Sequence, residues 1–351
     1  MSLFLKLHVI EISPGDRLKN DIFNQFGVLI LHKGTELTSD AIVKLMQHGI
    51  DYIDIEPRTM DIDRTSSVSS NPVKKVAPLF DEAVDGFEDI FLEALSSGTF
   101  DESRVDDLLQ PLVNELVGQK DVVSLLLLLD NGDNYTYNHS MQVGMLSYYI
   151  ATWLGYPKEE AYRIGKAGYL IDIGKCMISQ DILSKPGKLT PEEFEEVKRH
   201  TSYGYEIIFN STGDEISALV ALQHHEREDG SGYPKGLRKE EIHPYAKIAA
   251  VADVYTAMTS NRVYQSKQEL LTVLRELNAL SFGKLSPEPT QALISHLLPN
   301  FIGKKVLLNS GEVGSIIMTN QSDFFRPLVQ TDSRFVDLSK EREMAITEVY
   351  I

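Results

Sequence analysis

The sequence predicts a mostly α-helical protein: a helical bundle, preceded by a small N-terminal α+β unit and followed by a small C-terminal β appendage. Three observations support this. Apolar residues recur at three- and four-residue steps through most of 79–302, the pattern of helix faces. Residues 58–78 are rich in serine and poor in apolar side chains, a linker composition. From residue 303 onward, short apolar runs flank a glycine turn, a hairpin pattern. At 351 residues the chain is long enough for two or three units.

Within 1–57, Val28–Leu31 reads as a buried strand, with Asn24, Gly27 and Gly34 as turn signals. Thr38–Gly49 reads as a short helix, capped by Thr38 or Ser39 and ended by Gly49. Tyr52–Ile55 is rich in strand formers. No catalytic spacing occurs here, so this unit is expected to pack, sense or dock. The linker holds Thr65–Pro72 and then Lys74-Lys75, and helix propensity stays poor until about Pro78. The helical region opens with Phe80, Ala83, Val84, Phe87, Ile90, Phe91 and Ala94 on one face, and Val105–Leu129 continues it. Thr190-Pro191 with Glu193 is a capping-box start. Ile216–Glu226 and Ala246–Ser260 read as further helices. In the appendage, Val306–Leu308, the turn Asn309–Glu312 and Val313–Met318 form the hairpin, and Leu328–Gln330 and Phe335–Leu338 are candidate added strands.

Composition narrows the function. Apolar content of 42% and charged content of 24% are those of a soluble globular protein. Lys and Arg total 34 against 51 Asp and Glu, a formal charge of −17, which argues against duplex-DNA binding driven by counterion release. Cys176 is the single cysteine, so no intramolecular disulfide forms and a reducing cytoplasm fits. Leu125–Leu129 is far too short to cross a bilayer, and the N-terminus lacks a signal-peptide pattern. A cytoplasmic protein with no membrane partner is expected.

Four of the nine histidines have acidic company in the helical region: His139, His200, His224 and His225, with Asp172 and Asp253. Each taken singly is more often a satisfied core histidine than a ligand. As a set, imidazoles and carboxylates suit Fe, Mn or Zn. The other five histidines (His8, His32, His48, His243, His296) are read as structural or surface residues. Adjacent helical residues differ by about 100° in direction, so His224 and His225 cannot both join one core stripe. Burying both requires ligation or hydrogen bonds. Asp229–Pro234 follows directly, and its two glycines permit close backbone approach to a ligand.

These residues carry a family resemblance. His224–Pro234 matches the HHExxDGxGYP signature of the HD-GYP family. Asp172–Lys175 resembles the second half of its HDxGK motif, Val197–Gly204 its HTxxG segment, Ala250–Arg262 its closing AVADVxDALTSxR segment, and Asn138–Ser140 its first metal histidine. The match covers about residues 100–300. It implies a compact helical bundle holding one or two divalent transition metal ions, Fe or Mn first and Zn or Ni as further candidates, and hydrolysis of cyclic di-GMP. Carried over by position, His139, Asp172 and Asp253 would hold one metal. His200, His224 and His225, with Asp172 bridging, would hold the other. Asp172 and Lys175 would be catalytic, and Lys175, Gly232, Tyr233, Pro234 and Arg262 would contact substrate. The flanking units resemble accessory modules of some members. A homodimer formed through a helix such as 79–100, and signalling partners docking on the N-terminal unit, are further implications.

The sequence departs from the family pattern at three places. Ile171 stands where the HD histidine is expected, and an aliphatic side chain cannot ligate a metal. Tyr135 stands where members with a third metal carry an acidic residue, and Thr256 at a position often acidic in the family, which argues against a third ion. Val263 and Gln265 thin the expected phosphate contacts. A metal-dependent cyclic di-GMP phosphodiesterase, weakened by Ile171, therefore ranks first. A catalytically degenerate receptor for cyclic di-GMP or a protein ranks second. A hydrolase of another nucleotide is disfavoured by the Gly-Tyr-Pro loop, and a purely structural bundle by the ordered motif set.

Overall fold

The computed structural model describes residues 5–8, 15–23, 29–38, 41, 45, 50, 52–55, 72–116, 135–259, 270–320 and 323–350. The chain divides into two compact units, one comprising Met1–Ser69, Lys304–Gly314 and Ile346–Ile351, the other Ser70–Gly303 and Ser315–Ala345.

In the first unit the N-terminal strands are β1 (Leu5–His8), β2 (Ile22–Phe23), β3 (Leu29–Leu31) and β4 (Tyr52–Ile55). β1 and β4 pair antiparallel with Leu5 opposite Ile55, and β2 pairs antiparallel with β3. Leu18, Ile30, Leu37, Leu45, Ile53 and Ile55 form the core. Ile53 and Ile55 enter it together because alternate strand residues share a face. The strand expected at 28–31 occurs as β3, with Val28 outside the described residues. Of the expected helix 38–49, Ala41 and Leu45 are described and helical, and Thr38 Oγ1 accepts the Ala41 N–H at 3.2 Å, as a cap should. The rest of that segment also lies outside the described residues. Of the C-terminal strands, β5 (Lys305–Leu308) and β9 (Ile346–Tyr350) belong to this unit, β6 (Val313–Met318) starts in it, and β7 (Leu328–Thr331) and β8 (Phe335–Asp337) belong to the second. β5 pairs antiparallel with β9. A tight turn follows β5: Gly311 donates to Leu308 O at 2.8 Å with a φ of +86°, the left-handed region glycine tolerates.

The second unit is mostly helical. Its helices are α1 (Pro72–Ser97), α2 (Glu102–Leu116), α3 (Tyr135–Trp153), α4 (Lys158–Tyr169), α5 (Gln180–Leu183), α6 (Pro191–Lys198), α7 (His200–Thr212), α8 (Glu215–Gln223), α9 (Pro244–Thr259), α10 (Leu270–Leu280) and α11 (Pro287–Leu297). A 3-10 turn at Ile173–Met177 follows α4, and β7 pairs antiparallel with β8. The expected mostly helical class is the observed one.

Three boundaries differ from the sequence reading. α1 begins at Pro72, inside the expected linker 58–78. Val76 and Phe80 are fully buried and extend the stripe of Ala83, Phe87 and Ile90 backwards, so packing outweighs the propensity defect of Pro78. α8 stops at Gln223 rather than at Glu226, for a reason given below. α9 spans Pro244–Thr259, with Ser260 outside the described residues. The expected extension of α2 toward Leu129 also falls outside them. Among the described residues, no helix is long and apolar enough to cross a membrane.

α3 is buried along most of its length and is the axis around which the site is built. Glycines bring α4 close against it. A Cβ on Gly144 would lie 2.8 Å from Tyr169 Cβ, one on Gly165 2.8 Å from Tyr148 Cβ, and one on Gly168 2.7 Å from Ser147 Oγ. This close approach sets the end of α4, and the Asp172 that follows, beside the start of α3.

Candidate metal centre

Five segments of the second unit deliver side chains to one buried point. α3 brings His139, the turn after α4 brings Asp172 and Lys175, the first residue of α7 is His200, the end of α8 brings His224 and His225, and α9 brings Asp253. Local packing explains the convergence. A Cβ on Gly174 would overlap the carbonyl oxygen of His200 and the amide nitrogen of Gly204. Only glycine lets the Asp172 turn seat directly on α7. The glycines of the HDxGK-like and HTxxG-like segments thus face one another as a packing pair.

The donor atoms are close. Asp172 Oδ1 lies 3.5 Å from His200 Nε2 and 3.9 Å from His224 Nε2. Its Oδ2 lies 2.6 Å from Lys175 Nζ and 3.9 Å from His139 Nε2. His139 Nε2 donates to Asp253 Oδ1 at 2.9 Å, and His225 Nδ1 is 3.8 Å from Asp253 Oδ2. One ligand atom from each of His200, His224 and His225 lies within 4.8 Å of the others.

Hydrogen bonding fixes the tautomers of two of these rings. His200 Nδ1 lies 2.6 Å from Val197 O, and His224 Nδ1 lies 2.8 Å from Ala221 O. A carbonyl only accepts, so both Nδ1 atoms carry protons. In neutral imidazoles both Nε2 atoms then present lone pairs, and they face each other across 3.4 Å. Burial pushes the His200 pKa down to about 4, with Asp172 partly opposing, and burial lowers His224 as well. The His225 pKa falls well below its ordinary value through burial, then through its histidine neighbours. Burial opposes ionisation of Asp172, but Lys175, then His200, His139 and His224, outweigh it and hold its carboxyl well below the usual range. Asp253 is likewise lowered against its burial, chiefly by the His139 hydrogen bond. Two opposed lone pairs beside a carboxylate form a pocket that favours a cation, and the donor set fits a divalent transition metal.

The Gly-Tyr-Pro loop closes one side. The chain leaves α8 because Glu226, almost fully buried, accepts the Lys235 N–H at 2.7 Å and the Leu237 N–H at 2.9 Å. Tyr233 donates its backbone N–H to His225 O at 3.2 Å and packs its ring against His225, centroids 4.7 Å apart with the planes tilted by 33°. Burial, with Asp253 and Asp172 nearby, raises the Tyr233 phenol pKa. A Cβ on Gly232 would overlap Arg227 N and His225 O, so Gly232 serves close packing of the loop on the histidine pair. Pro234 follows a cis Tyr233–Pro234 peptide bond.

His139, Asp172, Lys175, His200, His224, His225, Asp253 and Tyr233 are therefore brought together, while Arg262 lies outside the described residues. Ile171 is fully buried and adds no donor. The two histidines of the pair do not sit on a regular helix as expected: His224 caps α8 and His225 lies beyond it. Glu226 and, on α6, Phe194 and Lys198 were not singled out by the sequence as parts of the site, because their partners are distant in the chain.

Comparison with known proteins agrees with the motifs. Residues 125–282 match the HD-domain family model. A cyclic di-GMP phosphodiesterase of Pseudomonas aeruginosa is 32% identical over 261 residues, covering 74% of this chain and 62% of that protein. A cyclic di-GMP phosphodiesterase of Thermotoga maritima is 43% identical over 172 residues, covering 48% of this chain and 47% of that protein. The matched part of the chain thus spans about half to three fifths of these relatives. An HDG"Y"P protein from Bdellovibrio bacteriovorus shares the fold, with a TM-score of 0.54 at 16% identity, over 83% of this chain and 98% of that one.

Proposed function

We propose that this protein is a metal-dependent phosphodiesterase that hydrolyses cyclic di-GMP. The observation that carries the reading is the pair of facing Nε2 lone pairs of His200 and His224 beside Asp172, with His225 completing the three-histidine set. His200, His224, His225 and Asp172 are the residues that would hold the principal ion, Fe(II) or Mn(II) first. His139, Asp172 and Asp253 would hold a second ion more weakly, because Ile171 supplies no ligand. A divalent cation there supplies Lewis acidity and charge neutralisation for phosphoryl transfer.

The chain's own groups have distinct tasks. Val197 O and Ala221 O hold the two imidazoles with Nε2 inward. Asp172 stays ionised because Lys175 and the histidines surround it. Lys175, partly open to solvent, places an ammonium where a phosphate oxygen or the leaving oxygen can accept from it. The Gly232–Pro234 loop lines the nucleotide side, and Arg262 is the proposed phosphate contact. Water attacks phosphorus, one ester P–O bond breaks, and the departing oxygen takes a proton. The names of the HD-domain relatives support cyclic di-GMP as the substrate.

Anaerobically purified protein supplied with Fe(II) or Mn(II) is incubated with cyclic di-GMP, and the products are followed by chromatography. Turnover by the wild type that is lost in Asp172→Ala and His225→Ala is expected. Binding of cyclic di-GMP without turnover under either metal would refute the enzyme and leave a receptor.

A further inference from the structure

α6 is an eight-residue helix that buries none of its side chains, yet it is firmly held. Thr190 and Glu193 form a reciprocal capping box, and Lys185 Nζ lies 2.7 Å from both Glu193 carboxylate oxygens. On this fixed helix Phe194 leaves 45% of its surface exposed. Its ring meets Tyr233 edge-on at 6.2 Å and 80°, and Tyr233 in turn leans on His225. Lys198, one turn along the same face, holds its ammonium 4.9 Å from the Phe194 ring centroid and 5.6 Å from that of Tyr233.

A row of rings thus runs outward from the metal centre: His225, Tyr233, Phe194. A cation lies over its outer half. A ring kept only for stability would gain most from full burial. An exposed ring on a rigid support, beside a cation and a phosphoryl-transfer centre, instead suits a ligand with an aromatic face and a negative charge. Lys198 also pairs with Glu195 Oε1 at 2.6 Å, but Glu195 is 70% exposed, and such surface pairs are weak enough for a phosphate to displace.

We propose that Phe194 and Lys198 form a nucleotide subsite, Phe194 stacking a purine base and Lys198 meeting a phosphate, for the part of a cyclic dinucleotide away from the bond being cleaved. The choice of cyclic dinucleotide rests on the phosphodiesterase reading above; the base-and-phosphate chemistry rests on the ring row and the cation.

The test uses the full chain with Phe194→Leu, Phe194→Trp and Lys198→Gln. Equilibrium binding and steady-state hydrolysis of cyclic di-GMP are measured beside bound metal, read by elemental analysis. Loss of one base stack weakens binding by roughly 5- to 150-fold. Phe194→Leu should raise Kd and KM within that range with a smaller change in kcat, and Phe194→Trp should restore them. Lys198→Gln should weaken binding at low salt, with the deficit shrinking as salt rises. Bound metal should be alike in all forms. The subsite is overturned if Phe194→Leu and Lys198→Gln bind cyclic di-GMP as the wild type does, if they lose binding and bound metal in parallel, or if the wild type binds no cyclic dinucleotide. If the wild type binds without cleaving, the phosphodiesterase reading fails alone and the binding data decide the subsite.

Discussion

Replacing Glu226 by Gln tests how the loop is held over the metal centre. Glu226 is 2% exposed, and its two oxygens each accept one backbone N–H, from Lys235 at 2.7 Å and Leu237 at 2.9 Å. Glutamine has the same size but one acceptor. Its amide oxygen keeps one of these bonds, and its NH2 group confronts the other N–H. A hydrogen bond to a charged group contributes about 1.5–3 kcal/mol, so one lost bond costs about that much. For a domain of this size, each kcal/mol corresponds to about 2–4 °C in Tm, so a drop of roughly 3–12 °C is expected by calorimetry. Tyr233 should also loosen from His225, raising KM for cyclic di-GMP while the metal content, set by side chains outside the loop, stays near wild type. A variant with unchanged Tm and KM would refute the claim that this carboxylate holds the loop.

Other outcomes follow from the same geometry. Gly174→Ala forces a methyl group into His200 O and Gly204 N; it should destabilise the protein by at least about 1–3 kcal/mol and lower bound metal, read by denaturant unfolding and elemental analysis. In metal-free protein, His200 titrates near 4 when folded and near 6.5 when unfolded, so the unfolded state binds more protons between those values. Stability should then be level above about pH 6.5 and fall on acidification through that window, by up to about 1.4 kcal/mol per pH unit for each such histidine; stability unchanged from pH 7 to 5 in urea titrations would contradict neutral buried imidazoles. Ile171→His should tighten a second ion by at least about 10- to 100-fold, the scale on which even outer ligands act, as read by calorimetric metal titration.

The centre was legible because its donors belong to scarce residue types with local markers. A histidine pair leading into Asp229–Pro234 stands out against any helical background, and so does Asp172 followed by Gly174 and Lys175. The capping box at Thr190 was equally plain, since it depends on residues three apart. What escaped the sequence depends on distant partners. Pro72–Pro78 reads as linker until Val76 and Phe80 are seen buried. The early end of α8 follows from Glu226 bonding residues 9 and 11 positions later. Phe194 looks like one more apolar helix residue until Tyr233, far along the chain, is found against it. β9 is a short run at the end of the chain whose strand character comes from pairing with β5.

The most direct test of the account is the metal content of one set of samples on which cyclic di-GMP hydrolysis is also measured: wild type, His224→Ala and Asp172→Ala, each reconstituted with Mn(II) and desalted. The account predicts at least one tightly held ion per wild-type chain, with metal and turnover lost together in both variants. Full metal retention in His224→Ala, or turnover that survives removal of the ion, would contradict it.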